Sequence, residues 1–141
     1  MKATLVADSS IILSWLFEDE KDAYAEMVLD SLRDGAALIP DLCWLETANA
    51  LVLAQRRQRI TTQELARLLD ILLRLPLLTD EGRYRDRIAR IATLSQKHRL
   101  TVYDATYLEA ALRNRLPIAT LDRALGEAAK AEGSAVLKRQ S

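Results

Sequence analysis

The feature that most constrains this fold is a short apolar run near the start of the chain that ends in an acid. Leu5, Val6 and Ala7 are followed by Asp8 and then by two serines. An uninterrupted apolar strand is typical of a parallel sheet buried on both faces, and open α/β sheets bind ligands beyond the carboxyl ends of their strands. Asp8 is therefore predicted to lie at a functional edge, although an acid in this position can also simply cap the next helix.

The rest of the chain alternates between short apolar runs and helix-like segments. Strand-like apolar segments recur at 36–40, 76–79, 116–122 and 135–137, and the stretches between them place apolar residues at helical spacing. Strand–helix–strand units of this kind form right-handed crossovers in a parallel sheet. We therefore predict an α/β fold, a three-layer α/β/α domain with a mostly parallel sheet of four or five strands, and a length of 141 residues suits a single domain.

Composition limits the class of protein. Half of the residues are hydrophobic, which argues against global disorder. The single cysteine, Cys43, permits no internal disulfide and fits a reducing cytoplasm. No apolar stretch approaches the ~20 residues that span a bilayer, and Asp8 interrupts the apolar run that a signal peptide would need. These features predict a cytoplasmic protein that has no membrane partner.

The charges are balanced in total but unevenly distributed. The formal net charge is zero, yet residues 1–50 carry three basic and ten acidic side chains, and residues 51–141 carry seventeen basic and ten acidic ones. Fifteen of the twenty basic residues are arginine, whose planar group suits paired bonds to phosphate. Because arginine is also an ordinary surface cation, this composition permits a nucleic-acid partner without requiring one.

Three further acids stand where a fold of this kind could bring them to Asp8. Glu46 lies inside an apolar helical segment from residue 42 to about residue 57, and Asn49 shares its helix face. Asp104 falls at the first turn of another helix, where a capping role is an equally good explanation. Asp122 follows the fourth apolar run, two residues after Thr120, and so repeats the opening pattern of a strand that exits into a hydroxyl and an acid.

These acids are predicted to converge at the carboxyl edge of the sheet. Two carboxylates ~5 Å apart repel by about 3 kcal/mol at an effective dielectric of 20, so the group requires protons or a cation. Oxygen ligands without histidine or cysteine indicate Mg²⁺ or Mn²⁺ rather than zinc. A metal site of this type suits the hydrolysis of a phosphodiester.

The sequence also makes predictions about two other helical segments, one concerning an interface and one concerning which residues face the core. The segment 65–75 has more leucines than one buried face needs, which favours an interface. The segment 83–99 is predicted to place Ile88 and Ile91 inside and Arg87 outside. His98, the only histidine, has no partner in the sequence that would indicate a general base or a metal ligand, and it is expected at the surface near the end of this helix.

The segments that contain these four acids resemble those of a known family, the PIN-domain ribonucleases, and more closely those of the VapC-type toxins. The resemblance covers essentially all of residues 1–141 and implies a single PIN-like nuclease domain. It rests on four segments in order, which are 8–10, 45–51, 100–108 and 120–125. It implies that the metal-binding and catalytic acids are Asp8, Glu46, Asp104 and Asp122, and that Ser10, Asn49 and Thr120 support them. It further implies an endoribonuclease with an RNA substrate, a homodimer, and inhibition by a small VapB-like antitoxin wrapped around the leucine-rich helices.

Two alternatives remain open within this fold. One is a PIN nuclease that processes RNA outside a toxin–antitoxin pair, and the other is a catalytically silent scaffold that binds RNA or protein. Other folds with an acid after the first strand fit less well. A metal-dependent adhesion module needs a second serine where Ile12 stands, and a haloacid-dehalogenase phosphatase needs a second Asp at residue 10.

Overall fold

A four-stranded parallel sheet forms the centre of the protein. The computed structural model describes residues 1–138. Its strands are β1 (Ala3–Ala7), β2 (Ala36–Ile39), β3 (Leu77–Thr79) and β4 (Ile118–Ala119), and they lie in the order β3-β2-β1-β4, each parallel to its neighbours. The predicted α/β fold with a mostly parallel sheet is therefore confirmed.

The predicted fifth strand is reduced to one bridge. In the segment 135–137, Val136 alone pairs with Ile118, in the parallel sense, and two backbone hydrogen bonds of 2.9 Å flank the bridge. Because β4 itself has only two residues, there is little strand for the segment to pair with. The prediction of a strand at 135–137 was wrong, although the segment does run beside β4.

Helices connect the strands and cover the sheet on both faces. In chain order they are α1 (Ser9–Leu16), a short 3₁₀ helix (Glu18–Glu20), α2 (Ala23–Asp30), α3 (Leu42–Arg56), α4 (Thr62–Arg74), α5 (Tyr84–His98), α6 (Val102–Asn114) and α7 (Arg123–Ala131). None of the helices among residues 1–138 is long and apolar enough to cross a membrane.

Side chains of β1 alternate between two apolar cores, as the two-residue period of a strand requires. Leu5 and Ala7 pack in a smaller core with Tyr24 and Val28 of α2. Val6 belongs to the larger core, to which α3, α4, α5, α6 and α7 all contribute buried side chains. This alternation produces the predicted three layers, with the sheet in the middle.

The parallel strands all end at one edge of the sheet, and polar residues follow three of them. Asp8 comes directly after β1, Asp80 after β3 and Thr120 after β4. Helices α1 and α7 begin at this edge, with Asp8 and Asp122 as their N-cap residues. The sheet therefore brings the first and last acids of the sequence motifs to the same side of the molecule.

Helix α5 is rotated relative to the prediction. Arg87 is only 6% exposed and Ile88 is 49% exposed, which reverses the predicted inside and outside positions, while Ile91 is buried as predicted. Arg87 is drawn inward because its Nε donates to Glu109 Oε1 of α6 at 2.7 Å and its Nη1 lies 3.2 Å from Asp80 Oδ2. A buried ion pair between helices overrides the usual solvent exposure of arginine.

The leucine-rich helix α4 begins with a capping box in which Thr61 and Glu64 exchange hydrogen bonds. Leu68 and Leu72 are buried in the larger core, whereas Leu73 is 73% exposed. Leu45, on the neighbouring helix α3, is 75% exposed. Part of the predicted leucine surplus therefore serves the core, and part remains at the surface.

Candidate active site

Asp8 is held in place by hydrogen bonds from both sides of its carboxylate. Ser10 Oγ donates to Oδ1 at 2.5 Å and the Ile11 backbone N–H donates to the same oxygen at 3.2 Å, which makes Asp8 the N-cap of α1. The hydroxyl of Thr120 donates to Oδ2. Asp8 is thus both a helix cap and a buried carboxylate, so the two interpretations of the sequence are compatible.

The loop after β4 is joined to the loop after β1 by polar contacts. Thr120 Oγ1 accepts from the backbone N–H of Asp122 at 2.9 Å, and Ser10 Oγ accepts from the backbone N–H of Leu121 at 3.0 Å. Asp122 in turn caps α7 by accepting from the Leu125 N–H at 3.1 Å. Ser10 and Thr120 thus both contact Asp8, and the supporting role that the resemblance implies for them remains a prediction.

Glu46 is held by a residue that sequence reasoning missed. Tyr107 of α6 is fully buried, and its hydroxyl donates to Glu46 Oε1 of α3 at 2.5 Å. Asp104 lies one turn earlier on α6, in the first turn, and the N-cap of that helix is Thr101. The spacing of three residues between Asp104 and Tyr107 was the available signal, because it places both on one face of the helix.

The acids of the cluster influence one another electrostatically. Burial raises the pKa of the Asp8 carboxyl, and the charge of Asp122 raises it further against the opposing hydrogen bonds. Burial also raises the pKa of Glu46, with Asp104 and Asp8 adding to the effect and Tyr107 opposing it. The pKa of Asp104 is raised by burial and by Asp122. Each acid thus lies within electrostatic reach of at least one other member of the cluster.

The four acids lack the cations that neutralise another acid at the same edge. Asp80 is buried after β3 and pairs with two arginines, Arg87 and Arg113. In contrast, within residues 1–138 none of Asp8, Glu46, Asp104 and Asp122 forms an ion pair with a basic side chain. The edge therefore contains one compensated acid and a group of four uncompensated ones.

The donor set suits a hard divalent cation, since it consists of carboxylates without histidine or thiolate. The present side-chain positions, however, do not form a finished metal cage. Among the described residues no three acidic, histidine or cysteine side chains are grouped closely enough to hold an ion. Asp8, Glu46 and Asp122 instead accept the hydrogen bonds from the chain described above. The residues fit a cation by their chemistry and by their uncompensated charge.

The family of the chain follows from comparison with known proteins. The family model for the PIN domain matches residues 5–131, nearly the whole length. The chain belongs to the PIN domain family. This PIN domain is 30% identical to "Ribonuclease VapC3" of Pyrobaculum aerophilum over 123 residues, which cover 87% of this chain and 92% of that protein.

Two solved structures share the fold of this PIN domain. "PAE2754 from Pyrobaculum aerophilum" superposes with a TM-score of 0.64 at 21% identity, covering 91% of this chain and 87% of that one. "FitAcB from Neisseria gonorrhoeae" superposes with a TM-score of 0.67 at 17% identity, covering 96% of this chain and 97% of that one. At these identities the likeness concerns the fold.

Asn49 differs from the other predicted supporting residues of this PIN domain. It lies on α3 one turn after Glu46, is exposed, and its side chain makes no hydrogen bond within residues 1–138. Ser10 and Thr120, in contrast, both contact Asp8. A supporting role for Asn49 remains a prediction that requires a ligand or a partner at the site.

Removing the Tyr107 hydroxyl should weaken the binding of a divalent cation. Tyr107→Phe leaves the buried ring but releases Glu46 from a 2.5 Å hydrogen bond. Loss of such a supporting contact typically costs about 10–100-fold in metal affinity. The measurement is titration calorimetry with Mn²⁺. The control is Tyr24→Phe, which removes another tyrosine hydrogen bond, that to the Leu137 carbonyl at 2.6 Å. Equal Mn²⁺ affinity in the two variants would contradict a positioning role.

Proposed function

We propose that this PIN domain is a metal-dependent endoribonuclease of the VapC type, the toxin of a type II toxin–antitoxin pair. The observation that carries the proposal is the group of four uncompensated acids at the carboxyl edge of the sheet, where α/β folds bind their ligands. Support comes from the relative named "Ribonuclease VapC3", which matches over most of both chains. Asp8 is buried without a basic partner among residues 1–138, which is costly for a protein to maintain, and a cation-dependent activity would explain its presence.

In this proposal the four acids hold Mg²⁺ or Mn²⁺. Asp8 and Asp104 are the principal ligands, and Glu46 and Asp122 complete the site or form a second site that depends on substrate. A divalent cation in such a site lowers the pKa of an attacking water and neutralises charge on the phosphate. Ser10 and Thr120 keep the Asp8 carboxylate oriented, and Tyr107 does the same for Glu46.

The chain's own residues also limit the chemistry. His98 lies at the end of α5, where the sequence placed it, and its Nε2 is 2.6 Å from Glu132 Oε2, a partner that the sequence pattern did not indicate. This pairing at the end of α5 leaves the acid cluster without a histidine to deprotonate a ribose 2′-hydroxyl. The proposed reaction is therefore in-line hydrolysis that leaves 5′-phosphate and 3′-hydroxyl ends.

The proposed partners follow from the same site and from the exposed leucines. We propose a homodimer and a VapB-like antitoxin that uses the surface near Leu45 and Leu73. An antitoxin that silences an acidic site is expected to insert an arginine or lysine toward Asp8 and Asp104, because arginine forms paired bonds to carboxylates.

We also propose that residues 1–141 act as one domain in the cytoplasm, consistent with Cys43, which is a free, buried thiol.

The test is a cleavage assay with purified protein, RNA, and Mg²⁺ or Mn²⁺. Cleavage should require the cation, stop in excess chelator and resume when the cation is restored. End labelling should identify 5′-phosphate products. Cleavage that persists in chelator, or products with 2′,3′-cyclic ends, would overturn the metal mechanism. RNA binding without cleavage under all these conditions would favour the silent scaffold.

A further inference from the structure

A continuous groove leads away from the acid cluster along α7. A cavity of about 360 Å³ beside the cluster is lined by Thr120, Asp122 and Lys130, among others. A second cavity of about 810 Å³ shares Thr120 and Lys130 and extends to Lys138 and Tyr24. Because three residues, Thr120, Lys130 and Val136, line both cavities, and because Thr120 contacts Asp8, the groove begins at the proposed reaction centre.

The two lysines of this groove have no acidic partners. Lys130 and Lys138 are both exposed, and neither forms an ion pair with any residue in the range 1–138. Lys97, in contrast, is paired with Glu132 at 2.7 Å. The groove thus offers two free positive charges close to a group of negative ones.

The single bridge beside β4 explains why Lys138 lies at this edge. Val136 pairs with Ile118 in the parallel sense, and the Leu137 N–H donates to the Ile118 carbonyl at 2.9 Å. The segment therefore leaves the sheet in the same direction as β4, and Lys138 lines the same cavity as Thr120. The segment 135–137, which was predicted as a fifth strand, therefore positions the positively charged side chain of Lys138 at the edge where the acids lie.

We propose that this groove, defined by Thr120, Lys130 and Lys138, binds the RNA backbone on one side of the cleaved bond. The inference rests on the proposed function and adds to it the path of the substrate. An RNA strand that approaches four carboxylates meets electrostatic repulsion from them, and lysines in the adjoining groove offset it by contacting the flanking phosphates. Val136, which is half-buried and lines both cavities, gives the groove apolar surface that a ribose can contact.

The experiment measures the binding of a fluorescent single-stranded oligouridylate to variants in an Asp8→Asn background, so that the probe stays intact. Each phosphate contact contributes a slope of about 0.7 to the plot of log affinity against log salt. Lys130→Ala/Lys138→Ala should therefore lower that slope by about 1.4. In the otherwise unaltered enzyme the same pair should raise KM several-fold and leave kcat nearly unchanged.

The matched control is Lys2→Ala/Arg33→Ala, which removes the same charge at the opposite edge of the sheet. Lys2 and Arg33 are exposed residues that precede β1 and β2, and their loss should leave the salt slope unchanged. Equal slopes for the two double variants would overturn the groove proposal even if the enzyme cleaves RNA. A slope change specific to the groove lysines in a protein that cleaves no RNA would support the groove and reject the nuclease.

Discussion

Asp8→Asn should lower the rate of RNA cleavage by about a thousandfold or more, because the loss of a metal ligand removes several kcal/mol of transition-state charge stabilisation. Asp104→Asn should have a similar effect. The measurement is single-turnover cleavage at saturating Mn²⁺. A matched control is Asp22→Asn. Asp22 is also an N-cap residue, accepting from the backbone N–H groups of Tyr24 and Ala25, but it has no place in the acid cluster.

The Asp8→Asn protein should nevertheless fold, and in the absence of metal it should be more stable than the original. Asn keeps an oxygen that can accept the cap hydrogen bond from Ile11, and it removes a buried charge. A melting temperature a few degrees above that of the original at pH 7, measured in chelator, is the expected result. Loss of cleavage accompanied by unfolding would leave no support for Asp8 as a ligand.

The pH dependence of stability has a defined sign. Asp8, Glu46 and Asp104 all have raised pKa values in the folded protein, so the folded state binds their protons more tightly than the unfolded state does. Their contribution to stability is fully present below the ordinary carboxylate range and is lost as the pH rises through the raised values. The free energy of unfolding of the metal-free protein should therefore fall between mildly acidic and neutral pH. The Asp8→Asn variant should show a smaller fall than the original protein, because it lacks one of these three groups.

Arg87→Ala should lower the free energy of unfolding by about 3–5 kcal/mol, the typical cost of removing one partner from a buried ion pair. That loss is large beside a total stability of about 5–15 kcal/mol. Glu109 is 1% exposed, and it pairs with Arg87 at 2.7 Å and with Arg113 at 2.8 Å. Without Arg87, two buried acids, Asp80 and Glu109, would share Arg113 alone.

Urea unfolding is the measurement, and Arg90→Ala is the matched control, since Arg90 lies on the same helix but is exposed. The double variant Arg87→Met/Glu109→Leu should recover part of the loss, because it removes both charges and leaves the pair of Asp80 and Arg113 balanced. If Arg87→Ala costs no more than Arg90→Ala, the network does not stabilise the fold.

The sequence predicted those parts of the site that depend on strand ends. Asp8 and Asp122 follow buried apolar runs, and parallel strands necessarily end at one edge, so the convergence required only the alternation of strands and helices. Tyr107 escaped prediction because its partner, Glu46, is 61 positions away on another helix. Nothing local distinguishes a tyrosine that holds a carboxylate from one that fills a core.

Arg87 was assigned to the wrong face for a related reason. On an amphipathic helix an arginine is normally solvent-exposed, and the two acids that draw it inward come from the end of β3 and from the middle of α6. The rotation of α5 that buries Arg87 also turns Ile88 outward. Local patterns predicted that the helix exists, and tertiary charge pairing decided which side of it faces inward.

The bond between Thr120 and Asp8 joins positions separated by 112 residues, and this has a consequence for protein synthesis. A growing chain on the ribosome has no β4, no Thr120 and no Asp122 until most of its length has been translated. Until then Asp8 has only its local donors, Ser10 and the backbone N–H of Ile11, its second carboxylate oxygen has no contact with Thr120, and the last acid is missing. Under the proposed function, the acid site would therefore be incomplete in a nascent chain, and we expect truncated products that lack β4 and Asp122 not to degrade RNA.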